Sequence, residues 1–384
     1  MAQSPPDLKI PSSTSTVNIR IIDTTSRISG IPLKHFVSPA ITGHTHLTAI
    51  PAFSFLIEHP SNRKLLFDLG VRKDKENFAP KILKSLKDGH WDVEVKQGVR
   101  EQLEAHGVRG KDVEGIIWSH YHWDHTGDPS TFDSHTALIV GPGFKAAFTP
   151  GYPANEESPI RESDYENREL REVSFDKGLK IGRFDAFDYF GDGSFYLLDS
   201  PGHAIGHMCG LARVTVNTFI VMGGDACHHA GEFRPSQYIP VPSSISPNPL
   251  SLGSSTPCPG SLFEDLYRDG DGKKPFYTIA KGEGGIAHDA DEAERTIGKV
   301  IEADARDEVL VVIAHDATLL DVVDFFPKYA NDFKEKGWVE KGRWLFLKDF
   351  AGATASPTAK LLLPVEWFFS TGNKKGPVQS YRTS

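Results

Sequence analysis

The alternation of apolar and polar positions divides the chain mostly into short strands. Residues 17–23 alternate and are β-branched, which suits a strand with one buried face. Residues 53–58 and 64–70 read as a strand pair around a turn at 59–63. Apolar runs of strand length recur at 113–118, 137–140, 184–190, 194–199, 208–214, 217–222 and 309–314. Gly191–Asp192–Gly193 marks a hairpin turn between two of them. Helical spacing occurs at 95–106, where Val95, Val99 and Leu103 share a face before Gly107, at 291–303, and near 318–336. Residues 149–180, polar and rich in Pro and Glu, predict a long surface excursion. Residues 238–260, dense in Pro, Ser and Gly, argue against any helix or strand. The Ser/Thr/Pro-rich residues 1–16 predict a flexible arm or an extended segment on the surface. No internal repeat is present.

Composition narrows the class. At 384 residues the chain can bury a large core, and 39% hydrophobic with 10% aromatic residues is ordinary for a soluble globular protein. A net charge of −9 argues against a broad basic surface for nucleic acid. No apolar run is long enough to span a bilayer, and the N-terminus lacks a signal-peptide pattern. The three cysteines, Cys209, Cys227 and Cys258, are too scattered for a disulfide framework or a thiolate zinc site. They fit a reducing compartment, so the expectation is a cytoplasmic protein acting on a small molecule, with no nucleic-acid or membrane partner. A homodimer is left open.

Candidate chemistry lies where strands end. The run 115–118 is followed by Ser119-His-Tyr-His-Trp-Asp-His-Thr-Gly-Asp128. In an extended segment His120 and His122 point to one side and can share an ion. Asp124 and His125 lie past the strand end, where a turn can send them to a second ion. Three more strands end in a ligand type: His203, Asp225 and His315. Imidazole and carboxylate without thiolate suit zinc, with iron, manganese or cobalt also open. Two ions about 3.5–4 Å apart can share a hydroxide near neutral pH, and Asp124 is the best candidate to pass a proton to the leaving group. Asp68 reads equally as a group orienting a ligand histidine and as a loop cap. His44 and His46 form a second His-x-His pair but lack a following Asp-His, so a substrate-side loop or plain surface is the reading. His207 reads as a buttress, Cys227 as packing and Trp123 as a site wall; His288 and Asp289 stand as lesser pocket candidates.

With these ligands in this order, the chain resembles the metallo-β-lactamase superfamily over about residues 17–345. The resemblance implies an α/β fold, a four-layer αββα sandwich with the metal site at one edge of the two sheets. It implies two zinc ions per chain: His120, His122 and His203 on one, Asp124, His125 and His315 on the other, and Asp225 bridging both. Residues 17–350 would form the hydrolase domain, with an inserted loop at about 238–285 covering the site, and 351–384 a C-terminal extension. The complete ligand set is similar to that of N-acyl homoserine lactonases, glyoxalase II and the tRNA-processing nucleases. An aspartate at 225, where antibiotic-degrading members carry cysteine or lack the bridge, points away from those enzymes, and the acidic balance points away from the nucleases. Pro201–His207 is similar to the glyoxalase II third-ligand motif, but that enzyme's basic glutathione-binding residues are not identifiable. Lactonases place a tyrosine three residues after the bridging aspartate; here His228 stands there, either donating the same hydrogen bond, acting as an acid, or being a surface histidine. The expected activity is opening of a lactone by a metal-bridging hydroxide. A lactam or cyclic carbamate, or a thioester, is the alternative, and a redox or non-catalytic member of the fold is the remaining class. The long Asp225–His315 interval suggests a substrate bulkier or more aromatic than a simple homoserine lactone.

Overall fold

Two six-stranded sheets carry the ligands, and their pairing follows the apolar alternation. The computed structural model describes residues 2–354. The first sheet runs β1 (Asn18–Asp23), β2 (Phe53–Glu58), β3 (Lys64–Phe67), β4 (Gly115–Ile117), β5 (Ala137–Val140) and β6 (Leu170–Glu172), in that spatial order. Its first pairings are antiparallel and those from β3 onward are parallel. The second sheet runs β7 (Lys180–Ile181), β8 (Phe184–Asp188), β9 (Phe195–Asp199), β10 (Met208–Arg213), β11 (Phe219–Met222) and β12 (Val309–Val312); only its last pairing is parallel.

Alternation sorts the side chains into layers. Phe53, Phe55, Ile57, Phe67 and Ile117 of the first sheet meet Phe195, Leu197, Met208, Ile220 and Val312 of the second. The outer face of the first sheet, Leu56, Leu66, Ile116 and Leu138, is covered by Val99 and Leu103. The outer face of the second, Leu198, Leu211, Val221 and Val311, is covered by Ala293, Ile297 and Val300. The helices supplying these covers are α2 (Val99–Ala105) and α5 (Ala290–Asp304). The architecture is thus the expected helix–sheet–sheet–helix sandwich.

Several local expectations are corrected. The helix expected at 95–106 begins only at Val99, because Asp92–Glu94 is drawn into a short ladder with Arg27–Ser29. A helix with no fully buried side chain, α1 (Pro80–Gly89), went unread. Residues 318–336 form one 3-10 turn, Ala317–Asp321, and then irregular chain, not helices. The 149–180 segment is more than a surface excursion, since β6 adds an edge strand and Ile160 and Asp164 are buried. Within 238–260, Ser244–Ile245 pairs with Cys258–Pro259. The N-terminal segment lies extended, with Leu8 buried and accepting from Gly182 N–H, while Arg213 donates to the Pro11 carbonyl. Residues 355–384, most of the expected C-terminal extension, lie outside the described residues. Among those described, no helix is long and apolar enough to cross a membrane.

Phe67 is 1% exposed and seals the inter-sheet layer edge-on to Phe55. Phe67→Ala should lower unfolding stability in urea by about 3–5 kcal/mol, while truncating the exposed Leu83 should cost under about 0.5 kcal/mol. Equal effects would show that this layer is not the core.

Candidate metal centre

Four strand ends and one short helix build the site. β4 ends at Ile117, and His120 and His122 follow in extended chain. The helical turn α3 (Trp123–Thr126) then sends Asp124 and His125 to the other side. His203 enters from the loop after β9, Asp225 from the turn after β11 and His315 from the end of β12. All seven residues named from the sequence converge on one buried place.

They form two sets around Asp225. In the first, His203 Nε2 lies 3.2 Å from His120 Nε2 and 3.0 Å from His122 Nδ1, while Asp225 Oδ2 lies 3.4 Å from His203 Nε2. Burial holds His120 and His203 well below the usual imidazole range, and it brings His122 down to about 4. Three neutral ring nitrogens facing one point have too few protons to satisfy one another. A tetrahedral ion with nitrogen ligands at about 2.0–2.1 Å sets them about 3.3 Å apart. In the second set Asp225 Oδ1 is 3.1 Å from both His125 Nε2 and His315 Nε2, and Asp124 Oδ2 is 3.4 Å from His315 Nε2. His125 Nε2 and Asp225 Oδ1 are both buried and, despite their proximity, out of line for a hydrogen bond. Burial disfavours charge on His125 and His315, but the surrounding carboxylates, Asp225 foremost, hold both above the usual range. The carboxylate of Asp225 is in turn held well below its usual range by those two imidazoles, against its burial. The donor set, the orphaned atoms and the spacing all fit divalent cations.

The rear atoms of the rings are fixed. His125 Nδ1–H donates to Asp68 Oδ2 at 2.9 Å, and Asp68 also accepts from the Ser119 backbone N–H and hydroxyl. Of the two readings of Asp68, ligand orientation describes these bonds. Its left-handed backbone, φ +59°, turns the carboxylate back under the motif. His315 Nδ1–H donates to the Pro51 carbonyl at 2.7 Å. His207 donates from Nδ1 to the Ser200 carbonyl and accepts the Asp225 N–H at Nε2, so it sets the loop that carries the bridging carboxylate. Gly224 makes that approach feasible, since a Cβ there would come 2.9 Å from His207 Nε2. Each bond leaves the working atom aimed inward.

Other residues sort as follows. His228 is buried, with Nε2 3.4 Å from Asp225 Oδ2 and neither ring nitrogen hydrogen-bonded, so it is not a surface histidine. Glu232, which sequence reasoning missed, accepts the backbone N–H of both His228 and His229. Its only signal was an acidic residue shortly after a His-His pair. His288 and Asp289 do not line the cleft; their N–H groups donate to the His203 and Gly202 carbonyls, and Asp289 caps α5. Cys227 is fully buried packing. His46 is exposed, whereas His44 bonds Tyr277 Oη at 2.9 Å beside His229 and Asp349. His229 Nδ1 accepts the Gly231 N–H, so its Nε2 carries the proton that faces Asp349 at 3.2 Å.

A cleft of about 320 Å³ opens on His122, Asp124, Asp225 and His315. Its walls are Ile31, Phe36, Leu47, Ile82, Trp91 and Trp123. Ile286, at the end of the expected loop of about 238–285, also lines this cleft. Thr278–Ile279 of the same loop pairs with Val37–Ser38 and so braces residues 31–50, which supply Ile31, Phe36 and Leu47 to the walls.

A fold of this kind, with this arrangement of histidines and aspartates, defines a class of metal-dependent hydrolase. A sequence model of the metallo-beta-lactamase superfamily matches residues 47–215, and the chain belongs to that superfamily. It is 46% identical over 356 residues to gamma-lactamase FDB1 of Fusarium pseudograminearum, covering 90% of this chain and 85% of that one. It is 46% identical over 354 residues to the metallo-hydrolase mfmC of Annulohypoxylon moriforme, covering 91% of each. The crystal structure of a mutant of B. thuringiensis AiiA with N-decanoyl-L-homoserine bound at the active site shares the fold at a TM-score of 0.55 and 16% identity, over 82% of this chain and 99% of that one. The chain is a metal-dependent hydrolase of this fold.

Asp68→Asn keeps the volume but removes the carboxylate behind His125. Metal affinity should fall about 10–100-fold in a competition titration with a chelator. Unchanged affinity would leave Asp68 as a loop cap.

Proposed function

We propose that the protein opens the ring of a cyclic ester or cyclic amide, a lactone or a γ-lactam, using two metal ions held by the seven converging ligands. One observation carries the reading: two complete ligand sets share Asp225 at the floor of an apolar cleft. When bound, zinc or a similar ion supplies a deprotonated water at neutral pH and a Lewis acid for the carbonyl. His120, His122 and His203 would hold one ion, Asp124, His125 and His315 the other.

The chain's own groups supply the rest. Asp124 borders the cleft, where it can hold a proton and hand it to the departing oxygen or nitrogen. An amide needs that proton more than an ester, since an amide anion is the poorer leaving group. His228, with free ring nitrogens in a buried setting, donates a hydrogen bond to the scissile carbonyl, where a lactonase has tyrosine. Glu232 fixes the backbone that aims it. The apolar walls exclude bulk water and strengthen these interactions. The lactam reading is supported by the gamma-lactamase relative at 46% identity; the lactone is the second reading, supported by the ligand set itself.

Hydrolysis of a γ-lactam, a γ-lactone and a glutathione thioester at pH 7 tests the proposal. Turnover of the cyclic substrates, lost on chelation and regained with zinc, is expected; turnover of the thioester alone would overturn it. His228→Phe should lower kcat about 10²-fold with metal content unchanged. Asp124→Asn should lower kcat about 10³-fold, and a metal analysis of that variant separates proton transfer from ligation.

A further inference from the structure

We infer that Trp91 and Trp123 form an aromatic clamp, so that the substrate carries a flat aromatic ring fused to the bond that is cleaved. The inference rests on the ring-opening reading and names the substrate class for that same site.

The two indoles lie at the cleft with planes 22° apart and ring centroids 6.4 Å apart. A guest ring in contact with both faces at about 3.5 Å per side needs the walls about 7 Å apart. The centroid separation of 6.4 Å is an upper limit on the gap between the two planes, so the jaws must part further to admit a planar guest. A branched or puckered alkyl group is thicker and needs a wider gap.

The two walls are held differently. Trp123 belongs to the ligand motif, directly before Asp124, and Phe78 packs edge-on to it with centroids 6.0 Å apart. It is the fixed jaw, and it holds the ring next to the group that protonates the leaving atom. Trp91 follows α1, which has no fully buried side chain. A helix anchored so lightly can shift by a fraction of an ångström at small cost. Gly89 lies flat beneath the Trp91 indole; a Cβ there would come 2.5 Å from its Nε1. Glycine at 89 is what lets the indole lie in this position. Ile82 and Phe36 extend the apolar surround, and the wall contains no carboxylate, lysine or arginine beyond the metal ligands on the cleft floor.

Two nine-carbon, six-membered lactones isolate the clamp: dihydrocoumarin, which is flat and ring-fused, and δ-nonalactone, which carries a flexible alkyl chain. In the metal-loaded enzyme, Trp91→Leu should raise KM for dihydrocoumarin about ten-fold more than it raises KM for δ-nonalactone. Gly89→Ala, which displaces the indole without removing it, should act in the same direction. Tryptophan fluorescence provides a reading free of catalysis: dihydrocoumarin should quench wild-type metal-free protein, and Trp91→Leu should lose that quenching. Equal effects on both lactones, or quenching unchanged in the variant, would overturn the clamp. If wild-type protein opens neither lactone nor any lactam, the ring-opening reading fails, and the quenching experiment still decides the clamp.

Discussion

Everything in this molecule depends on one buried carboxylate. Asp225 is 3% exposed and presents one oxygen to each of two imidazole sets. An ionised carboxylate cannot remain in such a place without compensating charge. Its charge holds His125 and His315 above their usual range, while burial holds His120, His122 and His203 below. The asymmetry is instructive. The first set gathers three imidazoles beside one oxygen of Asp225, and the second sets two imidazoles between the carboxylates of Asp124 and Asp225. The same field that would bind the ions therefore also holds the loops together, and the site contributes to the fold as well as to the chemistry.

Rigid elements meet the cost of that arrangement. Every ligand sits at a strand end or one short turn past it, where the inter-sheet core fixes the backbone. Behind the ligands stands a second layer of buried polar groups, Asp68, Ser119, His207 and Glu232, each bonded to backbone or ring nitrogen. The Asp68 bond fixes the direction of the His125 ring, as the Pro51 carbonyl does for His315. Truncating one would leave a buried partner unsatisfied, so these residues act on metal affinity through geometry and not through contact with substrate.

The sequence was most legible where chemistry and periodicity coincided. The seven ligands could be named because histidine and aspartate are costly at strand ends unless they do something, and the spacing in 120–125 repeats the strand period. The sandwich was legible for the same reason, since strands such as β2 and β12 are apolar throughout or alternate cleanly. Glu232 was illegible because its role is to accept two backbone N–H groups, a role no side-chain pattern announces. Helix α1 was illegible because it buries no side chain fully and packs only Ile82 and Leu86 against the core, so the core imposed little period on it. The loop over the site was read at about 238–285 from the long interval and its Pro/Ser richness, whereas the share of residues 31–50 in the covering shows only in the pairing of Thr278–Ile279 with Val37–Ser38. Sequence distance marks an insertion; only the ladder shows what the insertion holds.

The division between floor and walls follows from these constraints. The floor is polar, buried and over-determined, so it can change little without losing Asp225's compensation. The walls are Ile31, Leu47, Ile82 and Trp91, drawn from a loop and a helix that share no hydrogen bond with the ligands. Substitutions there alter shape and leave charge alone. A hydrolytic centre of fixed chemistry can therefore be matched to a new ring system by changes in residues 31–50 and 80–91. Trp123 is the exception, since it stands in the motif itself. A wall residue next to Asp124 couples the position of the substrate ring to the position of the proton, so the clamp and the chemistry are set by adjacent residues of one helical turn.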